Sequence, residues 1–328
     1  MKVFVIVGTR PEAIKMAPVY SALHEEDGLH PLLISTGQHR EMLDQVLDWF
    51  GLTPDHDLEL MAPNQTQSQD KSRSNVEAGL RTRNLEQPFP EEGYRQMASR
   101  VAAWHFCPTR RAQAALEAET VGGEAILVGN TVVDALVHTA ERVDTPQTPL
   151  SRERLVLITG HRRENHGDRF NEAFDAIATL AETHADVDFV YPVHLNPNVR
   201  DSAFERLSAI DNMSLIEPVA YPEMVALMKR ATMILTDSGG VQEEAPTFGV
   251  PVLVMRDATE RQEAVEAGAC ELVGVDKALI LNRARAILDE KRTVASASHN
   301  VRNPFGDGHA AKRIASVLAD RPVSPYER

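Results

Sequence analysis

The chain has 328 residues, 43% of them hydrophobic and 25% charged, and a net charge of -14. That describes a folded globular protein of about two domains. The acidic balance argues against a general nucleic-acid binder, because no excess of Lys and Arg is available to neutralise a phosphate backbone; a small phosphate ligand, which needs only a local pocket of donors, stays open.

The N-terminal run from Met1 to Gly8 is too short for a signal-peptide core, and Thr9-Arg10-Pro11-Glu12 follows where a cleavage site would stand, so it reads as a buried strand. No apolar run approaches membrane-spanning length. Strands are predicted at 2–8, 31–35, 125–129, 155–159, 187–193, 213–217, 232–236, 251–255 and 271–275. They are continuous apolar runs, the pattern of parallel strands buried on both faces. Helical patterns fall at 12–24, 39–50, 91–105, 109–119, 166–184, 221–230, 239–248, 276–290 and about 308–320. Such alternation predicts α/β layering. Residues 144–151 (DTPQTPLS) read as a linker. Two Rossmann-like domains facing a cleft follow: residues 1–148 joined by a returning C-terminal helix at 305–328, and residues 149–304. Cys107 and Cys270 have no CxxC spacing. They predict neither a disulfide framework nor a thiolate metal site, but two buried small side chains in a reducing cytosol.

Four segments carry chemistry. Gly8-Thr9-Arg10-Pro11-Glu12 marks a strand end running into a helix. Its N–H groups, with Arg10 and Lys15, suit an anion. By itself the motif reads more readily as a plain capped turn, with Arg10 paired to a surface acid. Thr236-Asp237-Ser238-Gly239-Gly240 followed by Glu244 is more specific. Ser238 can cap the helix, the two glycines admit a pyrophosphate, and Glu244 can accept from a ribose diol. Gly160-His161-Arg162-Arg163-Glu164-Asn165 ends another strand; it binds phosphate or moves protons, or is a solvated charged loop, and charge alone weighs these equally. In Val76-Glu77-Ala78-Gly79-Leu80-Arg81-Thr82, Glu77 lies in an apolar context, which favours a raised pKa and acid–base work. Glu91, after Pro90, reads locally as a favourable charge in a first helical turn. The histidines show no zinc-site spacing.

In order, GTRPEAIKMAP (8–18), TGQHREMLDQ (36–45), VEAGLRT (76–82), FPEEGYR (89–95), GNTVVDAL (129–136), TGHRREN (159–165), YPVHLNPNVR (191–200), LTDSGGVQEEAP (235–246), MRDATERQEA (255–264) and NPFGDG (303–308) resemble the non-hydrolysing UDP-N-acetylglucosamine 2-epimerase family. The resemblance implies two Rossmann-like domains of the GT-B type and a cytoplasmic homodimer. The implied isomerase interconverts UDP-GlcNAc and UDP-ManNAc without a cofactor, for surface polysaccharide synthesis. It assigns Glu77, Glu91 and His161 to catalysis. Arg10, Lys15, Arg95, Ser238, Gly239, Gly240, Glu244 and Arg261 are assigned to the substrate, and Gln38, Glu41 and His194 to an activating second UDP-GlcNAc. Gln262 stands where the family usually has Pro.

One stretch departs from the family. The family has a helix, a strand ending in Gly-Asp-Thr with a catalytic Asp, and another helix before VEAGLRT. No Gly-Asp-Thr occurs here, and Met61 to Asn75 provides only 15 residues, too few for that layer. Residues 64–75 (NQTQSQDKSRSN) have no aliphatic or aromatic side chain and read as a loop, so the N-terminal domain lacks a helix–strand–helix segment near residues 62–75. An internal deletion, a stretch missing from the sequence but present in the molecule, or UDP-sugar binding with impaired or no epimerase activity would each account for it. A GT-B glycosyltransferase explains the nucleotide half but not VEAGLRT or PEE. A hydrolysing epimerase fits the motifs less well.

Overall fold

The protein is described from a computed structural model covering residues 1–37, 40–58, 74–86, 90–160, 168–289, 302–324 and 326. The chain divides into two compact units, Met1–His138 with Phe305–Arg328, and Thr139–Pro304.

The first unit begins with β1 (Lys2–Val7), α1 (Arg10–His24), β2 (His30–Ser35), α2 (Arg40–Trp49) and β3 (His56–Asp57), giving a parallel sheet in the order β1-β2-β3. A second parallel sheet follows in the order β4-β5-β6. It is built from β4 (Ser74–Val76), α3 (Glu91–Val101), β5 (Trp104–Cys107), α4 (Arg110–Glu119) and β6 (Glu124–Leu127), and α5 (Thr131–Ala140) follows. Among the described residues, β1 and β4 each pair on one side only. Burial on both faces, expected for every strand, fails at β1, where Phe4 is 58% exposed. Two further expectations change. Ser74 and Asn75, read as loop, pair in register with Trp104 and His105; strand formation here comes from the partner backbone rather than from local propensity. The helix expected over 91–105 stops at Val101, because Ala102 turns extended (φ -76°, ψ 141°) and releases Trp104–Cys107 as a strand. Residues 59–73, which include most of the departing stretch, lie outside the described residues.

The second unit is an all-parallel six-stranded sheet in the order β12-β11-β10-β7-β8-β9. Its strands are β7 (Arg154–Thr159), β8 (Val187–Pro192), β9 (Met213–Ile216), β10 (Met233–Thr236), β11 (Val252–Val254) and β12 (Cys270–Leu272). The intervening helices are α6 (Asp168–Thr183), α7 (Pro197–Leu207), α8 (Tyr221–Arg230), α9 (Gly239–Glu244), α10 (Gln262–Glu266) and α11 (Lys277–Asp289), with a 3-10 turn at Ala245–Phe248. Successive residues Leu155, Val156, Leu157 and Ile158 are all buried, as continuous apolar strands require. Val156, Ile158, Phe189, Tyr191, Met233 and Leu235 pack with Phe174, Ile177 and Leu180 of α6 and Ile280 of α11. Each such side chain contributes about 1.5–3 kcal/mol on burial, which makes this sheet a rigid support for its loops.

The last helix, α12 (Ala310–Leu318), belongs to the first unit. Asp134 accepts from Ala310 N (3.2 Å) and Ala311 N (2.8 Å) at its start. Arg313 bonds Val128 O and both oxygens of Asp307. Cys107 and Cys270 are buried and free, and burial pushes both thiols up to about 12.

Candidate active site

In the second unit the strand order runs outward in both directions from the adjacent pair β7 and β10. Ligands of doubly wound sheets sit at the carboxyl ends of the strands beside such a switch point. Two of the charged or glycine-rich segments start there. Thr159 and Thr236, in register at the two strand ends, join through their hydroxyls at 2.5 Å. Asp237 N donates to Thr159 O (3.0 Å), and Ser238 N donates to Thr236 Oγ1 (2.9 Å). Tyr191 hydroxyl holds Gly160 O at 2.7 Å. The turn beginning at Ser238 is thus braced from both strands. His161, with residues 162–165, lies outside the described residues.

Ser238 takes the N-cap position of α9 (φ -77°, ψ 131°), but its hydroxyl makes no capping bond. With its N–H tied to Thr236, its Oγ faces Gly240, where an added Cβ would lie 3.8 Å away. Gly239 has a second reason to be glycine. A Cβ there would meet Arg261 Cζ at 2.8 Å, so the absent side chain lets the guanidinium lie on the backbone at the start of α9. Arg261 also donates to Glu243 (2.9 Å) and Glu260 (3.3 Å), and Arg256 donates to Glu260 (3.0 Å). Burial pushes the Glu260 carboxyl up, but Arg261 and Arg256 outweigh it and hold it at about 2. Ser238, Gly239, Gly240, Glu244 and Arg261 therefore form one contiguous site. Its polar groups suit a phosphate at Arg261 and the turn backbone, and hydroxyl donors at Glu244.

In the first unit, Glu77 follows β4 at φ +60°, a costly conformation for a non-glycine residue that only its surroundings can hold. The apolar setting expected for Glu77 is not what surrounds it. Lys15 of α1 pairs with its Oε1, and Asn130 Nδ2 donates to the same oxygen at 3.3 Å. The sequence pattern failed here because both partners come from distant segments. Asn130, not singled out from the sequence, is fixed in turn: its Oδ1 accepts from Val132 N (3.1 Å), and its N–H donates to Phe305 O (2.7 Å). Its place between Gly129 and a helix start was the available signal.

At Gly8-Thr9, Glu12 Oε2 accepts from Gly8 N (2.8 Å) and Thr9 N (3.0 Å), so the protein's own carboxylate occupies those two donors. The capped-turn reading describes this end of β1, and Arg10 begins α1 beside it. Glu91 starts α3, exposed, and Arg95 lies one turn on. Its neighbour Glu92, also missed from the sequence, is buried and accepts from Thr82 N (2.9 Å), Arg83 N (3.2 Å) and Gln96 (2.9 Å). Burial pushes its carboxyl up, and these bonds bring it below the ordinary range. PEE thereby anchors the end of VEAGLRT. Of the three activator candidates, His194 is exposed and its Nδ1 accepts from Asn196 N (3.1 Å). Gln38 and the Glu41 side chain lie outside the described residues. No group of three or more His, Cys, Asp or Glu that could hold a metal occurs among the described residues.

These features define a two-unit α/β protein with a glycine-lined polar site at the switch point of a doubly wound sheet. Its sequence matches the family model described as UDP-N-acetylglucosamine 2-epimerase over residues 74–319. A probable UDP-N-acetylglucosamine 2-epimerase of Ralstonia nicotianae is 43% identical, with 97% of this chain and 98% of that protein covered. The UDP-N-acetylglucosamine 2-epimerase of Escherichia coli K12 is 40% identical over 99% and 100%. The crystal structure of UDP-GlcNAc 2-epimerase from Neisseria meningitidis bound to UDP-GlcNAc superposes with a TM-score of 0.88 at 38% identity, covering 98% of this chain and all of that one. The chain belongs to the UDP-N-acetylglucosamine 2-epimerase family. The Ralstonia alignment runs over 370 positions, more than the 328 residues present here, so parts of that relative face gaps.

Proposed function

We propose that this protein is a non-hydrolysing UDP-N-acetylglucosamine 2-epimerase that interconverts UDP-GlcNAc and UDP-ManNAc. The observation that carries the reading is family membership along the whole chain, with relatives of that name at about 40% identity. The braced site from Ser238 to Arg261 supports it on physical grounds.

In this reading Arg10, Lys15, Ser238, Gly239, Gly240 and Arg261 hold the UDP part, Glu244 accepts from its ribose, and Arg95 supports the catalytic residues. A base removes the C2 proton, the C–H pair becomes the C1–C2 double bond, and the C1–O bond breaks as UDP leaves with its electrons. UDP then adds back to C1, and a proton reaches the opposite face of C2. The balance is proton transfer plus C–O cleavage, so no hydride carrier enters it. Glu77, Glu91 and His161 are the acid–base and phosphate-contacting residues. Glu77 is the best supported, because its strained backbone and its bonds to Lys15 and Asn130 fix one carboxylate orientation. Gln38, Glu41 and His194 are proposed to hold an activating second UDP-GlcNAc.

The finer expectations belong to the same proposal: a cytoplasmic homodimer supplying ManNAc for surface polysaccharide. Tyr94, Met97 and Val101, all exposed on α3 at helical spacing, support a subunit contact. No described helix is long and apolar enough to cross a membrane.

Incubation with UDP-GlcNAc in deuterated water tests the activity. Deuterium at C2 together with UDP-ManNAc is expected; neither appearing, while UDP still binds, would sink the epimerase reading. Sedimentation tests the dimer, and a single 36.2 kDa species at micromolar protein refutes it.

A further inference from the structure

Glu244 closes the short helix α9, and its two carboxylate oxygens have different surroundings. Oε1 accepts a hydrogen bond from the Tyr221 hydroxyl at 3.0 Å. Oε2 is the oxygen nearest the glycine turn, since a Cβ added to Gly240 would lie 3.9 Å from it. Both residues are 7% exposed. Tyr221 comes from elsewhere in the fold: it begins α8, following Ala220 and preceding Pro222, before strand β10 is entered. Burial, then the Glu244 charge and the bond itself, push its phenol well above the ordinary value, so it stays a hydrogen-bond donor.

A glutamate has three side-chain torsions, and in solution it samples many rotamers. A carboxylate that must meet two ribose hydroxyls gains affinity when its orientation is set before the ligand arrives. A buried hydroxyl bonded to Oε1 restricts the carboxylate's rotation, with Oε2 on the Gly240 side.

We infer that Tyr221 is a positioning residue for ribose recognition: its hydroxyl holds Glu244 so that the carboxylate meets the diol, making the Tyr221–Glu244 pair a determinant of ribonucleotide over deoxyribonucleotide binding. The inference rests on the assignment of Glu244 to the ribose made above. A purely structural Tyr221 predicts something different, because losing core packing would weaken every ligand of the site alike.

Calorimetric titration with UDP and with 2′,3′-dideoxy-UDP separates these cases. Tyr221→Phe keeps the ring and removes only the donor, and thermal unfolding confirms that it folds. UDP affinity is expected to fall about threefold to tenfold, the range for losing the preorganisation of one flexible side chain. Affinity for the dideoxy nucleotide is expected to stay within about twofold. An equal loss for both ligands, or no loss for either, overturns the inference. Glu244→Ala, measured in parallel, tests the underlying assignment. If it leaves the ratio of the two affinities unchanged, Glu244 does not read the ribose, and both claims fall. If it collapses the ratio while Tyr221→Phe does not, only the role of Tyr221 falls.

Discussion

Gly79, in the middle of VEAGLRT, tests how tightly the first unit holds the loop that carries Glu77. Its φ of +86° lies in the left-handed region, and a Cβ there would sit 2.1 Å from the carbonyl oxygen of Ala112. Ala112 lies in the first turn of α4, with its N–H capped by Thr109 Oγ1 at 3.2 Å. The helix cannot retreat without opening the cluster of Ala78, Cys107, Ala112 and Leu116. For Gly79→Ala, the left-handed backbone costs about 1–2 kcal/mol, and forcing a backbone contact open adds about 1–3 kcal/mol. Gly28 supplies the control. Its φ is also +86°, but nothing lies within 4 Å of the added Cβ, so Gly28→Ala carries only the first cost. Urea unfolding should therefore show a loss of about 2–5 kcal/mol for Gly79→Ala and about 1–2 for Gly28→Ala. Calorimetry should show the first-unit transition falling by about 4–20 °C in the former. Glu77 is two residues away, and a shift near 1 Å at a reacting group costs roughly 100-fold in rate. Turnover should thus fall with Gly79→Ala and not with Gly28→Ala. Two variants within about 0.5 kcal/mol of each other would refute the steric argument.

Burial pushes the Asp134 carboxyl up to about 6, despite the Ala311 and Ala310 N–H groups. A raised folded-state value means that its contribution is fully present below the ordinary carboxylate pKa and is lost as pH rises through about 6. Relative to Asp134→Asn, the native protein should lose about 1.4 kcal/mol between about pH 5 and about pH 7.5 in urea unfolding, and a flat difference refutes the shift. Arg81, with its side chain 3% exposed, bonds Glu119 (2.8 and 3.0 Å), Ser99 (2.8 Å) and Leu80 O (3.0 Å). Arg81→Ala should destabilise by about 3–5 kcal/mol, because the Glu119 carboxylate loses its counter-charge; a loss below about 1 kcal/mol in denaturant titration contradicts this. Lys15→Met removes the cation beside Glu77, and kcat/KM is expected to fall at least about tenfold. Unchanged kinetics would detach Lys15 from the reaction.

The sequence by itself determined the α/β class, most strands of the second unit and the family. Short uninterrupted apolar runs such as Leu155–Ile158, alternating with helical patterns, have the form of strands covered on both faces, and the long ordered motifs are specific without any structure. It also found the Ser238–Gly240 turn, because adjacent glycines at a strand-to-helix junction have few other uses. Tertiary structure decided what local pattern does not encode. Ser74–Val76 is a strand only because β5 lies beside it. Gly239 is glycine partly because Arg261, far along the chain, rests on it. Glu77 meets Lys15 and Asn130, and Glu244 meets Tyr221, through contacts 62, 53 and 23 residues apart in sequence. Propensity and periodicity report on neighbours within a few residues, whereas the orientation of a carboxylate is set by whatever the fold brings against it.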